Sequence, residues 1–219
     1  METLSVNKPV VLLGAGGHAS VLCDLLQRLG NEIIAVVAPT SPNESEVFAS
    51  VKRLNQDDDV FKYDTDSVVL VNGVGSLPGN SLRIKLYEKF KARGYQFMNV
   101  IAPSADVSPY SKMAEGVQIM PGAVVQTGTY LANNVIINTR ASVDHDCIIG
   151  PHSHVAPGVT LSGGVVLAEN VHVGTGASII QGLTVGQNSV IGAGACVTDN
   201  VKQDSIVYPA KVFIREKSK

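Results

Sequence analysis

Asp144, His145 and Asp146 are consecutive, and they are the place in this sequence where chemistry can be read most directly. A neutral imidazole that donates one ring N–H to a carboxylate can accept a proton on its other nitrogen, and the pKa of histidine suits that task near neutrality. His145 is therefore a candidate general base, with Asp146 or Asp144 as its orienting acid. The competing reading is an exposed turn histidine between solvated carboxylates. More imidazoles follow at His152, His154 and His172. No cysteine or carboxylate completes a ligand set around them, so no metal site is expected, and His152 and His172 read as simple surface histidines.

The element that must position these side chains is a repeat. Stepping by six from Val107 gives Met113, Ile119, Val125, Leu131, Ile137, Val143, Ile149, Val155, Leu161, Leu167, Val173, Ile179, Val185, Ile191 and Val197, all aliphatic. A helix cannot keep period six on one face, and a simple strand alternates at period two. Period six marks a parallel β-helix in which each hexad supplies one flat side and a turn. Three hexads make a coil, so residues 18 apart stack at about the 4.8 Å strand spacing. His154 and His172 are 18 apart and should stack on one outer face. His145 and His154 are nine apart and fall on different parts of the triangle, so a site using both is most simply built between subunits.

The first half is written differently. Pro9 to Leu13, Glu32 to Val37, Val68 to Asn72 and Gln96 to Ile101 read as strands, with helices over Ala19 to Leu29 and Ser81 to Arg93. That alternation predicts a Rossmann-like three-layer α/β unit over residues 1–102, followed by a left-handed β-helix with a C-terminal tail over 103–219. The polar stretch between Pro39 and Asp66 carries no clear signal. Gly14-Ala15-Gly16-Gly17-His18-Ala19 follows the first strand and opens the first helix, the context in which a G-x-G-x-x-A pattern brings backbone amides to a phosphate. A nucleotide or nucleotide-sugar diphosphate is the implied ligand. Gly73-Val74-Gly75 lies at the same sheet edge and can line the same crevice. A dinucleotide cofactor is disfavoured because the second strand ends Val36-Val37-Ala38-Pro39, without the acid that binds ribose hydroxyls. A purely structural turn is the plainer alternative.

Composition sets the outer bounds. The chain has 219 residues, 45% of them hydrophobic, and a net charge of −2 without runs of either sign, which argues against nucleic acid or anionic lipid as partner. No apolar stretch approaches the ~20 residues of a membrane span, and the N-terminus lacks a signal-peptide pattern, so a cytoplasmic protein is expected. Cys23, Cys147 and Cys196 are odd in number and lack CxxC spacing, which reads as reduced thiols used for buried packing.

The Gly14 to Ala19 loop, the Gly73 to Gly75 turn, the hexads, the Val143 to Gly150 segment, Ser153-His154-Val155-Ala156-Pro157-Gly158 and the closing Pro209-Ala210-Lys211 occur in this order over nearly the whole chain. Together they resemble the hexapeptide-repeat sugar acetyltransferases, which include sialic-acid O-acetyltransferases and N-acetyltransferases of nucleotide-linked 4-amino-4,6-dideoxy sugars of bacillosamine and perosamine type. The resemblance implies a homotrimer with acetyl-CoA between neighbouring β-helices and a nucleotide sugar, with a UDP carrier favoured, on the N-terminal domain. It implies His145 as general base, Asp146 as the acid that raises its basicity, and His154 at the acetyl-CoA end. Gly163, Thr175 and Ala193 fall where the pantetheine arm is bound by backbone groups, and Gly14, Gly16, Gly17 and His18 on the nucleotide-sugar loop. The chain departs from the pattern at the missing acid after the second strand, in the longer 39–66 segment, and at Tyr208, where many relatives have glycine. Direct N-acetylation is the expected reaction. O-acetylation of a sugar, a metalloenzyme resembling γ-class carbonic anhydrases, and a non-catalytic nucleotide-sugar-binding subunit are the alternatives.

Overall fold

The computed structural model describes residues 8–38 and 46–210; Lys211 and parts of the 39–66 stretch lie outside the described residues. The N-terminal unit is built on four parallel strands, β1 (Val10–Leu13), β2 (Ile33–Val37), β3 (Arg53–Leu54) and β4 (Val69–Asn72), in the order β3-β2-β1-β4. Helix α1 (Gly17–Arg28) follows β1 and α2 (Leu82–Lys91) follows β4. Side chains alternate across β1. Val10 and Leu12 pack with Leu22 and Leu26 of α1, while Val11 and Leu13 pack with Phe90 of α2. Both faces are thus covered, which is why these strands read as continuous apolar runs. The 39–66 stretch supplies β3 and two short 3₁₀ turns, Glu46–Phe48 and Asp57–Lys62, in its described part.

The last strand expected in this unit is divided between the two halves. Phe97 bridges Leu70 of β4, but Val100–Ile101 pairs with Gln118–Ile119 and forms the first rung of the β-helix. The chain therefore passes from sheet to coil without a linker, and Val100, Ala102 and Met120 share the core beneath α1. Across the seam Lys91 Nζ meets both carboxylate oxygens of Glu115 at 2.9 and 2.7 Å.

From there the chain winds as a left-handed triangular prism with parallel two-residue strands. The first face has seven strands, including Ile136–Ile137, His154–Val155 and His172–Val173; the second has six, including Ser142–Val143 and Thr160–Leu161; the third has five, including Ile148–Ile149. Residues pair with those 18 positions away, as in His154 with His172, until the last rung, where Val190–Ile191 pairs with Ile206–Val207 at a spacing of 16. Ile119, Leu131, Ile137, Val143, Ile149, Val155 and Leu161 are all 0% exposed along the axis. The turns are left-handed at a fixed place in each hexad, taken by glycine at Gly122, Gly128 and Gly158 and by Asn134, Arg140 and Asp146 elsewhere.

Coil stacking leaves little room at the glycines just after the inward residues. A Cβ on Gly150 would lie 2.5 Å from the Ala168 carbonyl carbon and oxygen of the next coil. Since that neighbour is backbone, Gly150→Ala is expected to cost ~1–3 kcal/mol through overpacking, read as a lower urea midpoint at unchanged m-value.

Candidate functional site

His145 stands at the corner between the second and third faces. Asp146 occupies the left-handed turn position there, with φ of 58°, in a column whose neighbours are Gly128 and Gly164. An L-residue in that conformation costs ~1 kcal/mol, least for Asp and Asn, whose short polar side chains tolerate it. What the conformation delivers is geometry: Asp146 Oδ2 lies 2.8 Å from His145 Nδ1. Gly128 is what leaves space for this carboxylate, because a Cβ on it would collide with Asp146 Oδ1. Asp144 does a different job, its Oδ1 accepting the His145 backbone N–H at 2.7 Å.

The imidazole is half exposed, and its Nε2 side overlies Gly163 of the next coil, where a Cβ would come within 2.5 Å of Nε2. With Nδ1–H held by Asp146, Nε2 carries the lone pair. The hydrogen bond to Asp146, reinforced by the charge of Asp144, raises the His145 pKa above its ordinary value. The result is an accessible imidazole in one tautomer, made more basic by its neighbour.

The other imidazoles are assembled elsewhere. His154, 8% exposed on the first face, is bonded at both ring nitrogens: Nε2 meets Asn138 Nδ2 at 3.0 Å and Nδ1 meets the Ser76 carbonyl at 3.2 Å. Asn138 Oδ1 accepts the Thr139 N–H at 2.8 Å, so its amide nitrogen faces His154 and donates. His154 therefore accepts at Nε2 and donates from Nδ1. Burial lowers its pKa to about 3, with neighbouring His172 adding to the effect. The rings of His154 and His172 meet edge to face at 5.0 Å. His172 is not a simple surface residue, since it is half buried with Nδ1 shielded and without a partner. His152 is buried too, edge-on to Tyr87 and bonded through Nδ1 to Asn134 Nδ2 at 3.0 Å, because the N-terminal unit covers that corner. Among the thiols Cys23 and Cys147 are buried as expected, whereas Cys196 is exposed, its side chain falling on the outer side of its rung.

The crevice of the N-terminal unit opens between β1 and β4, where the strand order reverses, which is where open parallel sheets hold ligands. Gly14, with φ of 94°, turns the chain out of β1 against Val74, and Gly16 caps α1 without a side-chain bond. A Cβ on Gly16 or Gly17 would meet nothing within 4 Å, so the fold itself does not demand glycine there; the bare backbone leaves the helix N-terminus open to an approaching group. Gly73 is demanded by the fold, since a Cβ would lie 2.8 Å from both Ala19 Cβ and the Leu13 carbonyl. Gly75 faces the His18 side chain across the crevice.

Within one chain these residues form two groups. His145 and Gly163 share the corner between the second and third faces, while Thr175 and Ala193 stack at the corner between the first and second, beyond the face that carries His154. The backbone N–H groups of Gly163, Thr175 and Ala193 have no backbone partner among the described residues. The structure does not bring His145 together with His154, Thr175 and Ala193 in a single chain. A cleft of about 740 Å³ along the domain seam, lined by Lys8, Phe97, Met98 and Glu115 among others, contains none of these residues. Among the described residues no group of three His, Cys, Asp or Glu side chains could hold a metal ion, and no helix is long and apolar enough to cross a membrane.

Sequence reasoning missed Asn138, which sets the His154 tautomer, and Arg83 and Gln118, which tie the crevice to the prism. Gln118 points outward from the prism and is buried to 1% exposure because the N-terminal unit covers it through His18 and Asn72, which hexad position alone does not reveal.

Comparison with known proteins agrees with this architecture in both halves. Residues 9–90 match the family described as the PglD N-terminal domain, and residues 128–163 match the bacterial transferase hexapeptide family. The acetyltransferase domain of PglB from Neisseria gonorrhoeae, solved with acetyl coenzyme A, is 31% identical, with a TM-score of 0.82 over 94% of this chain and 100% of that one. A mutant of perosamine N-acetyltransferase from Caulobacter crescentus, solved with CoA and GDP-perosamine, is also 31% identical, with a TM-score of 0.80 over 92% of this chain and 93% of that one. WeeI from Acinetobacter baumannii shares the fold at 21% identity and a TM-score of 0.80, covering 92% of this chain and 97% of its own. The chain belongs to the family of hexapeptide-repeat sugar acetyltransferases that carry a PglD-type N-terminal domain.

Proposed function

We propose that the protein transfers an acetyl group from acetyl-CoA to the amine of a nucleotide-linked 4-amino-4,6-dideoxy sugar, with His145 as general base. The observation that carries this reading is the His145–Asp146 pair: one ring nitrogen held at 2.8 Å, the other open over Gly163 at a corner of the prism. As the sugar nitrogen attacks the thioester carbonyl, Nε2 takes its proton, the C–N bond forms, the C–S bond breaks, and the proton passes to the departing thiolate. Free backbone N–H groups along the corners, Gly163 among them, suit stabilisation of the oxyanion and of the pantetheine amides. Gly14, Gly16, Gly17 and His18, facing Gly73 and Gly75, receive the sugar nucleotide. The separation of His145 from His154, Thr175 and Ala193 within one chain favours a homotrimer that completes each site between two prisms. His154 meets the acyl donor there, with its Nε2 released from Asn138 if a nitrogen is to make the contact. Dependence on acetyl-CoA fits a cytoplasmic enzyme.

The direct test is thiol release from acetyl-CoA with UDP- and GDP-linked 4-amino-4,6-dideoxy sugars and free sialic acid as acceptors. Turnover on an amino-sugar nucleotide supports the reading and fixes the carrier; a UDP carrier is favoured. Turnover on sialic acid alone replaces it with O-acetylation.

Asp146 governs where activity falls off in acid. His145 works unprotonated, so its raised pKa places the loss of kcat/KM at a higher pH than an isolated histidine would give. Asp146→Asn substitutes a neutral acceptor and stabilises the imidazolium less, so the acid limb should move to lower pH while the plateau drops. A pH–rate profile checks both signs.

A further inference from the structure

Arg83, in the first turn of α2, is 2% exposed. Its Nη1 donates to the carbonyls of Asn72 at 2.8 Å and Val74 at 2.7 Å, which flank Gly73, and its Nη2 reaches the Asn134 carbonyl of the prism at 3.4 Å. Nε is buried without a partner, and no carboxylate forms an ion pair with Arg83 among the described residues. Burial lowers its pKa to about 9, which still leaves it charged at neutral pH. An unpaired buried cation is costly, so the carbonyls that hold it are held firmly in return.

From Arg83 a chain of hydrogen bonds leads to the crevice. The Asn72 carbonyl also accepts Gln118 Nε2 at 2.8 Å. A carbonyl cannot donate, so this end of the Gln118 amide is the NH₂ group, and the end facing His18 Nε2 at 2.7 Å is the oxygen. His18 must then carry its proton on Nε2, leaving Nδ1 as a lone pair that has no partner among the described residues and is not sealed from solvent. We propose that Arg83 and Gln118 are positioning residues that fix His18 with Nδ1 bare, so that His18 accepts a proton donor of the substrate's sugar and does not bind its phosphates.

The proposal rests on the nucleotide-sugar reading and sharpens it. A bare lone pair repels phosphate oxygens, which can only accept at neutral pH, but it suits a hydroxyl or amine N–H. The phosphates are left to the open N-terminus of α1. The sugar is the part that must reach the prism, and His18 sits on the prism side of the crevice, against Gln118. The charged and titratable groups acting on His18 are Arg83 behind it and, on the facing coil, His154; burial, with the charge of Arg83, lowers the His18 pKa to about 4. Protonation is thereby kept out of the working pH range.

Calorimetry on the full chain separates the two contacts, using UDP and GDP beside their 4-amino-4,6-dideoxy-sugar conjugates. His18→Ala should weaken the sugar conjugate about fivefold to tenfold, the range of one hydrogen bond, and leave the bare nucleoside diphosphate within about twofold. His18→Gln, which keeps an acceptor, should recover most of the loss, and His18→Lys should not. Gln118→Met removes the acceptor that holds the Nε2 proton, so affinity for the sugar conjugate should fall in parallel with His18→Ala while the bare nucleoside diphosphate again stays within about twofold. Equal weakening of both ligands in His18→Ala, or recovery by lysine in place of glutamine, overturns the assignment and leaves the nucleotide-sugar reading standing. Wild-type protein that binds neither ligand overturns both.

Discussion

Replacing His145 by alanine is expected to lower kcat for acetyl transfer by ~10²-fold or more, the usual contribution of a positioned general base, with little change in KM for either substrate. The side chain is half exposed at a corner and makes no contribution to the axial core, so the variant should melt like the wild type. Gly163→Ala probes the same base without removing it. The new methyl group would come within 2.5 Å of Nε2 and 2.6 Å of Cε1, and the imidazole is the flexible partner that must yield. Gly163 has an ordinary backbone φ, so alanine introduces no conformational strain. A loss of kcat comparable to that of His145→Ala, at unchanged thermal stability, is the expected result. Full turnover in His145→Ala would remove the base assignment, and full turnover in Gly163→Ala would show that the ring is free to work from another position.

Mild acid should unfold the protein, and the cause lies in the buried imidazoles. His18 and His154 have pKa values lowered to about 4 and about 3 in the folded state, chiefly by burial, against 6.5 for the free side chain. Below pH 6.5 the unfolded chain binds protons that the folded chain refuses, so stability is complete above that pH and falls as pH drops toward the folded values. Each such group contributes a slope of ~1.4 kcal/mol per pH unit, so the pair together gives on the order of 3 kcal/mol per unit between about pH 6 and 4. Calorimetric melts across this range should show a steep drop in Tm that is shallower in a His154→Gln variant. A Tm independent of pH over the same interval would mean that the imidazoles are already protonated in the fold.

These results also show which parts of the molecule were legible before folding. The prism was, because one inward residue per hexad is a strictly local rule, and the run from Val107 to Val197 obeys it without exception. A carboxylate partner for the His145 ring was legible because the candidates are adjacent to it in sequence. Whether Asp144 or Asp146 holds the ring was not, since both flank it; the left-handed backbone at Asp146 makes the choice in three dimensions. The environment of His18 was hidden for a different reason. Its partner Gln118 is 100 residues away, and the groups that fix its proton are an amide and main-chain carbonyls, which no motif spells out. His152 and His172 were misjudged as surface residues because hexad position says that a side chain points outward but not whether another unit covers it.

The 18-residue register of the prism makes its sequence tolerant of some length changes and intolerant of others. An insertion of eighteen residues adds one storey and leaves every column above it in line. An insertion of six keeps each aliphatic residue on the axis, so the core survives, yet it rotates everything downstream by a third of a turn. Placed between His145 and His154, such an insertion would give a well-folded protein whose His154 had been carried away from the Ser76 loop, with the His145 corner and the His154 face out of phase.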